Sequence, residues 1–288
     1  MALGKEVRTY YEGAWHEGNL AILGAADFAM WLGNQVFDGA RSFEGTAPDL
    51  ALHCARIVRS AEAMGMVSPV TGEEVLEIAW EGIKKYPKEV PLYIRPMMWS
   101  KESGPVMLEC DPESTGFALC IEDCPMPEPH EAALTLSPFR RPSIETALTG
   151  AKAASLYPNN SRIFTEARKR GFDNGLTRDL NGNVCETASS NIFMAKGGVV
   201  FTPVPNGTFL NGLTRQRVIQ LLRADGVDVV ETTLRPADFE TADEVFYTAN
   251  ASKVMPFTRY EAREIGIGPL FERARTLYWD YAHQEARY

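Results

Sequence analysis

The chain has 288 residues, 45% of them apolar and 23% charged, the balance of a globular protein with length for one large domain or two smaller ones. Lysine and arginine number 29 against 38 acids, a net charge of −9 with no basic patch or tail, which sets aside nucleic acid and anionic membrane as partners. The five cysteines (Cys54, Cys110, Cys120, Cys124, Cys185) form no C-x-x-C pair and no ligand cluster with the four scattered histidines, so reduced thiols are expected and structural zinc is not.

The start, Met1 to Glu6, lacks the apolar core of a signal peptide, and no apolar run is long enough to span a bilayer. A cytoplasmic protein is the expectation. Val7 to Trp15 reads as a strand pair turning at Glu12-Gly13. Ala25 to Leu32 is short and mixed. Gln35 to Phe43 alternates like a strand and turns at Glu44-Gly45-Thr46, and Leu50-Ala51-Leu52 reads as another strand. Apolar residues at Ile57, Ala61 and Met64 predict a helix over His53 to Met64, and Glu73 to Tyr86 is a second amphipathic helix. Pro91 to Trp99 and Gly116 to Ile121 follow as buried strands. Three alternating prolines in Cys124-Pro125-Met126-Pro127-Glu128-Pro129 exclude helix or central strand there and suggest a linker.

A new strand set begins at Ala133 to Leu136. A helix is expected over Asn159 to Arg170, ending at Gly171, and another over Thr214 to Ala224, closed by Gly226. Strands are expected over 175–179, 191–194, 199–202, 228–232 and 244–248, with turns at Asn181-Gly182 and Gly197-Gly198. A last helix starts near Pro269. The rhythm is that of two mixed α/β (α+β) domains, not a doubly wound sheet. The expected division is an N-terminal domain over 1–123, a linker over 124–130 and a C-terminal domain over 131–288.

Four places could carry chemistry. Lys152, in Thr149-Gly150-Ala151-Lys152-Ala153-Ala154-Ser155, has small and apolar neighbours and no acid within four residues. A lysine that loses water without gaining a carboxylate becomes a usable amine nucleophile, as Schiff-base chemistry needs. The competing case, commoner for such a stretch alone, is a stem snorkelling over apolar surface. Asn211-Gly212-Leu213-Thr214 runs into a helix whose first amides could bind an anion, though ordinary capping looks the same. Thr248-Ala249-Asn250-Ala251-Ser252 could form a comparable nest. Glu186 is an isolated acid that could hold a ring nitrogen protonated or could simply end a strand facing water.

Together these residues resemble a known family. Glu186-x-Ala188-x-x-Asn191-Ile192-Phe193, then Val200-x-Thr202, then Leu210-x-Gly212-Leu213-x-Arg215 is similar to the class-IV aminotransferase signature. Lys152 lies where that family has its pyridoxal 5'-phosphate lysine, with Tyr157 five residues later, and His53-x-x-Arg56-Ile57-x-x-Ser60-Ala61 resembles its phosphate-arginine helix. The resemblance runs from Tyr11 to Ala251. It implies the two-domain, D-amino acid aminotransferase-like fold (fold type IV) with the cofactor at the domain interface. Lys152 would form the Schiff base and move the proton at Cα, Glu186 would pair with the pyridine nitrogen, and Tyr157 would bond the ring hydroxyl. Arg56, the amides of Leu213 and Thr214, and the turn at Asn250 and Ala251 would hold the phosphate, with Asn250 standing for the family's threonine.

Branched-chain aminotransferases resemble the chain most closely, through Tyr93-Ile94-Arg95-Pro96 and Val36-Phe37-Asp38-Gly39-Ala40-Arg41. Phe37 would give an apolar wall, and Arg41, Tyr93 and Arg95 would serve the substrate side. The implied reaction moves an amino group from leucine, isoleucine or valine to 2-oxoglutarate by a ping-pong route, in a homodimer or larger assembly. The chain departs from that pattern at Leu32, at Asp38 in place of glutamate, and in the loop 101–113. D-amino acid transaminases, (R)-selective amine transaminases and aminodeoxychorismate lyase share the fold and cofactor and remain alternatives.

Overall fold

The protein is described by a computed structural model covering residues 4–284, and its chain forms two compact units. Among the described residues one unit takes 4–126, 151–155 and 282–284, and the other takes 127–150 and 156–281.

In the first unit β1 (Val7–Tyr11) and β2 (Ala14–Glu17) form a hairpin. Glu12 and Gly13 turn it with φ of 49° and 81°, the left-handed pair that matches the twist of the flanking strands. The short helix α1 (Phe28–Leu32) precedes β3 (Gln35–Phe37) and β4 (Ala40–Ser42). The single strand expected over Gln35 to Phe43 is present as β3 and β4 in one unshifted register against β5, divided at Asp38-Gly39 because Pro96, opposite Asp38, accepts the Asp38 N–H at 3.0 Å and has no N–H to return.

Helix α2 spans Leu50–Ala63, so Leu50-Ala51-Leu52 is its first turn and not a strand. Three residues cannot distinguish the two periods. The wider spacing of the buried Leu50, Cys54, Ile57 and Ala61 is helical. Helix α3 (Gly72–Ile83) opens with a capping box in which Thr71 and Glu74 each bond the other's backbone N–H, and it ends three residues before Tyr86. Strands β5 (Leu92–Ser100) and β6 (Thr115–Asp123) complete an antiparallel sheet in the order β2-β1-β6-β5-β3, with β4 beside β5. One face of it packs Ile94, Met98, Leu119 and Ile121 against Ile57, Ala61, Val75 and Ile83 of the two helices. The other face carries a smaller cluster of Ala29, Trp99 and Ala118 with Tyr11 and Met97 against it.

The second unit begins with β7 (Ala133–Arg140) and α4 (Tyr157–Lys169), the latter entered through a 3-10 turn over Ala154–Leu156. It continues with β8 (Asn174–Arg178), β9 (Val184–Thr187), β10 (Asn191–Lys196), β11 (Val199–Pro203) and α5 (Leu213–Ala224). Strand β12 (Val229–Thr232), α6 (Pro236–Glu240), β13 (Glu244–Ala249) and β14 (Lys253–Phe257) follow. Two short strands, β15 (Arg259–Tyr260) and β16 (Arg263–Glu264), precede α7 (Pro269–Gln284). The sheets run β12-β11-β10-β13-β14 and β16-β15-β7-β8-β9, and a single core of Leu134, Leu176, Ile192, Met194, Val245 and Phe257 draws on both. Strand β9 brings Glu186 into this interior; it is buried and not a water-facing strand end.

Among the described residues no helix is long and apolar enough to cross a membrane. The five cysteines are free thiols.

The core of the first unit supplies a stability test. Ile94 is buried between the sheet and both helices, so Ile94→Ala leaves a cavity and is expected to lower unfolding free energy by about 2–5 kcal/mol. Urea unfolding followed by circular dichroism measures it, and a loss under about 1 kcal/mol would place Ile94 outside a close-packed core.

Candidate active site

Directly paired residues on adjacent strands present their side chains on one face, and alternate residues along a strand share that face. The pairs Phe37–Met97, Arg41–Tyr93, Tyr93–Glu122 and Arg95–Cys120 therefore place Phe37, Met97, Arg95, Tyr93, Arg41 and Glu122 together, on the face away from the helices. Lys152 joins this row. Ala153 bridges Val36, the Phe37 N–H donates to the Lys152 carbonyl at 3.2 Å, and the Lys152 N–H donates to Ser60 Oγ of α2 at 3.2 Å. The half-buried amine then lies 4.3 Å from the centre of the Phe37 ring.

The polar end of the row is tightly paired. Arg95 forms an ion pair with the buried Glu122 and lies 5.2 Å over the Tyr93 ring. Glu122 also accepts from the Gly4 N–H at 2.9 Å. Arg41 is fully buried and donates to the Cys124 carbonyl, with its other terminal nitrogen 3.0 Å from Cys124 Sγ. Burial pushes its guanidinium down, and the neighbouring Cys124 pulls it back up. Gly39 is required beneath Tyr93, because a Cβ there would come within 2.2 Å of the tyrosine oxygen.

Asp38, His53 and Arg56 form a buried cluster. One helical turn separates His53 from Arg56 on α2, so both reach the same carboxylate. Arg56 grips Asp38 with two bonds, Nε to Oδ2 at 2.6 Å and Nη2 to Oδ1 at 2.8 Å, while His53 Nδ1 lies 2.7 Å from Oδ1. The Gly39 N–H adds a fourth bond at 2.7 Å. Burial alone would push the Asp38 carboxyl up. The Arg56 guanidinium, helped by His53, reverses this and holds it below the usual carboxylate range. The aspartate in place of the family's glutamate thus fixes the direction of Arg56.

The second unit holds the other candidates. Glu186 Oε1 lies 2.9 Å from Arg141 Nη2, and its Oε2 accepts from Asn191 Nδ2 at 3.3 Å. Arg141 is itself held by Asn160 Oδ1 at 2.7 Å and by the Thr208 carbonyl. Asn191 also donates to the Leu210 carbonyl at 2.9 Å and accepts from the Gly212 N–H at 3.1 Å. A Cβ at Gly212 would meet Asn191 Oδ1 at 2.3 Å, so only glycine fits. Helix α5 begins immediately after it, and the N–H groups of Leu213 and Thr214 belong to the first turn that has no intrahelical acceptors. Arg215 is fully buried and ties the approach down through Asn211 Oδ1, the Pro203 carbonyl and Glu231. Strand β10 pairs Asn191 with Thr248 of β13, which leads into the turn at Asn250 and Ala251. Tyr157 opens α4, half-buried.

This unit is suited to an anionic ligand. Thr248 Oγ1 and Asn250 Nδ2 are buried and have no hydrogen-bond partner among the described residues, a state that buried polar atoms rarely keep. Both can donate to an oxyanion. The free amides at the start of α5 add further donors, and the Glu186 carboxylate is an acceptor for a ring N–H, a combination that fits a phosphorylated pyridine. Among the described residues no group of three or more His, Cys, Asp or Glu side chains is placed to hold a metal ion.

The class of protein follows from family comparison: residues 35–260 match the profile of amino-transferase class IV, and the chain belongs to that family. It is a pyridoxal-phosphate-dependent aminotransferase of fold type IV. A Brucella abortus aminotransferase, whose crystal structure contains bound pyridoxal phosphate, is 52% identical with a TM-score of 0.96, over 97% of this chain and 100% of that one. A Pseudomonas aeruginosa branched-chain-amino-acid aminotransferase is 29% identical over 283 residues, 92% of this chain and 91% of the relative. A T.th. branched-chain amino acid aminotransferase complexed with N-(5'-phosphopyridoxyl)-L-glutamate is 25% identical with a TM-score of 0.90, over 98% and 96% of the two chains.

Sequence reasoning passes over Arg141, which stands in no periodic pattern. It holds His53, Asp38 and Asn191 only as letters of motifs, and their bonds to Arg56, Glu186 and Gly212 need coordinates.

The Asp38 cluster yields a pH prediction. A carboxylate whose pKa falls on folding contributes stability above its unfolded pKa and loses it as the pH drops towards the folded value. Asp38→Asn strands a buried guanidinium and is expected to destabilise the protein by about 3–5 kcal/mol at pH 7. The gap from wild type should narrow as the pH falls below about 4. Urea unfolding at several pH values reads both quantities, and a gap independent of pH would show that Asp38 is not the charged partner of Arg56.

Proposed function

We propose that this aminotransferase takes a branched-chain L-amino acid as donor and 2-oxoglutarate as acceptor, in two half-reactions that exchange an amino group for a carbonyl oxygen. The observation that carries the reading is the row on the first unit's sheet. The Lys152 amine sits over Phe37, with Met97 beside it and Tyr93 and Arg95 further along. An aliphatic side chain suits the Phe37–Met97 end, where burying each methylene contributes about 0.8 kcal/mol. A carboxylate suits the Arg41–Tyr93–Arg95 end. Two arginines face one glutamate there, which leaves one positive charge in excess for an acid to meet. The relative complexed with a phosphopyridoxyl-glutamate supports the acceptor.

Pyridoxal phosphate, when bound, supplies an aldehyde for amine exchange and a ring that withdraws electrons from Cα. The chain's own residues then divide the work. The Lys152 amine would be the attachment point and, once displaced, would act as the base that takes the proton from the substrate Cα and as the acid that gives it back. Arg141 and Asn191 keep Glu186 an oriented carboxylate, which suits it to hold a pyridine nitrogen protonated. Tyr157 serves the ring hydroxyl. Arg56, the Leu213 and Thr214 amides and the turn at Asn250 and Ala251 serve the phosphate. We also place the enzyme in the cytoplasm as a homodimer or larger assembly, as the family resemblance implies.

Absorbance of the bound cofactor tests the substrate reading. L-leucine is expected to bleach it and 2-oxoglutarate to restore it. Bleaching by D-alanine or an (R)-arylalkylamine alone would overturn the branched-chain donor. Borohydride reduction is expected to fix pyridoxal phosphate covalently to wild type and not to Lys152→Ala; retained attachment in the variant would mean another lysine holds the cofactor.

A further inference from the structure

The hairpin between β13 and β14 contains a lysine in an unusual setting. Lys253 is fully buried, and its backbone φ is +60°, a left-handed conformation that a long side chain rarely adopts. Its amine donates to Asn250 Oδ1 at 2.8 Å and lies 5.6 Å from the centre of the Tyr278 ring. Lysines are seldom buried to this degree unless their amine is committed to a particular interaction.

The bond has a geometric consequence. A lysine amine has no acceptor site, so the amide atom that faces it must be the oxygen. The choice between the two orientations of the Asn250 amide, which side-chain shape leaves open, is thereby settled. Nδ2 is turned to the other limb of the planar group, where it is buried with no partner among the described residues. Thr248, 2% exposed and two residues earlier, holds a second such atom in Oγ1. Two donors without acceptors beside one turn match a ligand rich in lone pairs, and charge-assisted bonds to an oxyanion are the strongest they can make.

We propose that Lys253 is a positioning residue: it locks the Asn250 amide so that Nδ2, together with Thr248 Oγ1, donates to an oxyanion, either the cofactor's phosphate or a substrate carboxylate. The proposal rests on the aminotransferase reading of this turn. Without the lysine the amide can flip and offer its oxygen, which repels the anion.

The test titrates cofactor-stripped protein with pyridoxal phosphate and, separately, with pyridoxal, following the absorbance of bound cofactor. If the oxyanion is the phosphate, Lys253→Met is expected to weaken pyridoxal phosphate about tenfold and leave pyridoxal unchanged. Lys253→Arg should recover most of the loss. Asn250→Ala should match Lys253→Met, and the double variant should be no worse than either, because the two changes remove one interaction. If the oxyanion is the substrate carboxylate, the KM for L-leucine rises about tenfold at unchanged pyridoxal phosphate affinity. Equal weakening of pyridoxal and its phosphate, or additive effects of the two substitutions, would mean that Lys253 only supports the hairpin and would overturn the proposal. Should Lys253→Met not fold, Thr248→Val reads the same phosphate-against-pyridoxal difference at the neighbouring donor. Wild type that takes up neither form would instead overturn the aminotransferase reading of the turn.

Discussion

The bidentate bond between Arg56 and the buried carboxylate of Asp38 constrains much of the first unit. Burying either charge alone is costly, and the pair is tolerable only with the additional bonds from His53 and the Gly39 N–H. Asp38 sits between β3 and β4 with its own N–H bonded to the Pro96 carbonyl, so the strand course along β5 aims its side chain at α2. The same register places Gly39 under the Tyr93 hydroxyl and, because alternate N–H groups point away from β5, turns the Phe37 N–H to the Lys152 carbonyl. Helix α2 is therefore tied along one side to Asp38 through His53 and Arg56 and to the Lys152 N–H through Ser60. The direction of the Arg56 guanidinium and the place of the Lys152 backbone are set by one local arrangement.

The second unit solves a similar problem with an amide. Asn191 bonds a carboxylate, a carbonyl and a backbone N–H, using both limbs of its side chain, and so couples Glu186 to the start of α5. Gly212 is the steric counterpart of that coupling. Arg141 and Arg215 are both buried and both bonded to carbonyls as well as to acids, so they act as braces and not as mobile charges. A preorganised site of this kind has little left to order when an anion arrives.

Legibility from sequence follows the range of the forces involved. The β1–β2 hairpin, α3, β5 and α5 are readable because turn chemistry, capping and periodicity are local. Leu50-Ala51-Leu52 misleads as a strand, since only the packing of Cys54, Ile57 and Ala61 beyond it selects the helical period. Strand β9 escapes notice, because polar Glu186 and Thr187 become interior only when β8 and the Arg141 guanidinium partner them. Short elements such as α6, β15 and β16 depend on pairing at a distance and give no periodic signal. Motif spacing singles out residues that the fold bonds together, as with Asn191 and Gly212. It cannot show that Asp38 is the partner of Arg56, or that a lysine in a turn is buried.

The row from Arg41 to Phe37 shows why a list of charged residues underdetermines a binding surface. Arg41 and Arg95 both look like carboxylate receptors in sequence, yet Arg95 is matched by Glu122 and Arg41 is drawn to Cys124 at the sheet's end. The attraction available to an acid is the residual field of the three charges, weaker than two unopposed arginines and directional because Glu122 is fixed by the Gly4 N–H. Towards Lys152 the same row becomes apolar, first at Met97 and then at Phe37. Because side chains on this face repeat every second residue, the polar and apolar ends are held at a fixed spacing along β5. A ligand spanning that distance would be sorted by where its charge falls relative to its hydrocarbon, which is the property that separates one amino acid class from another.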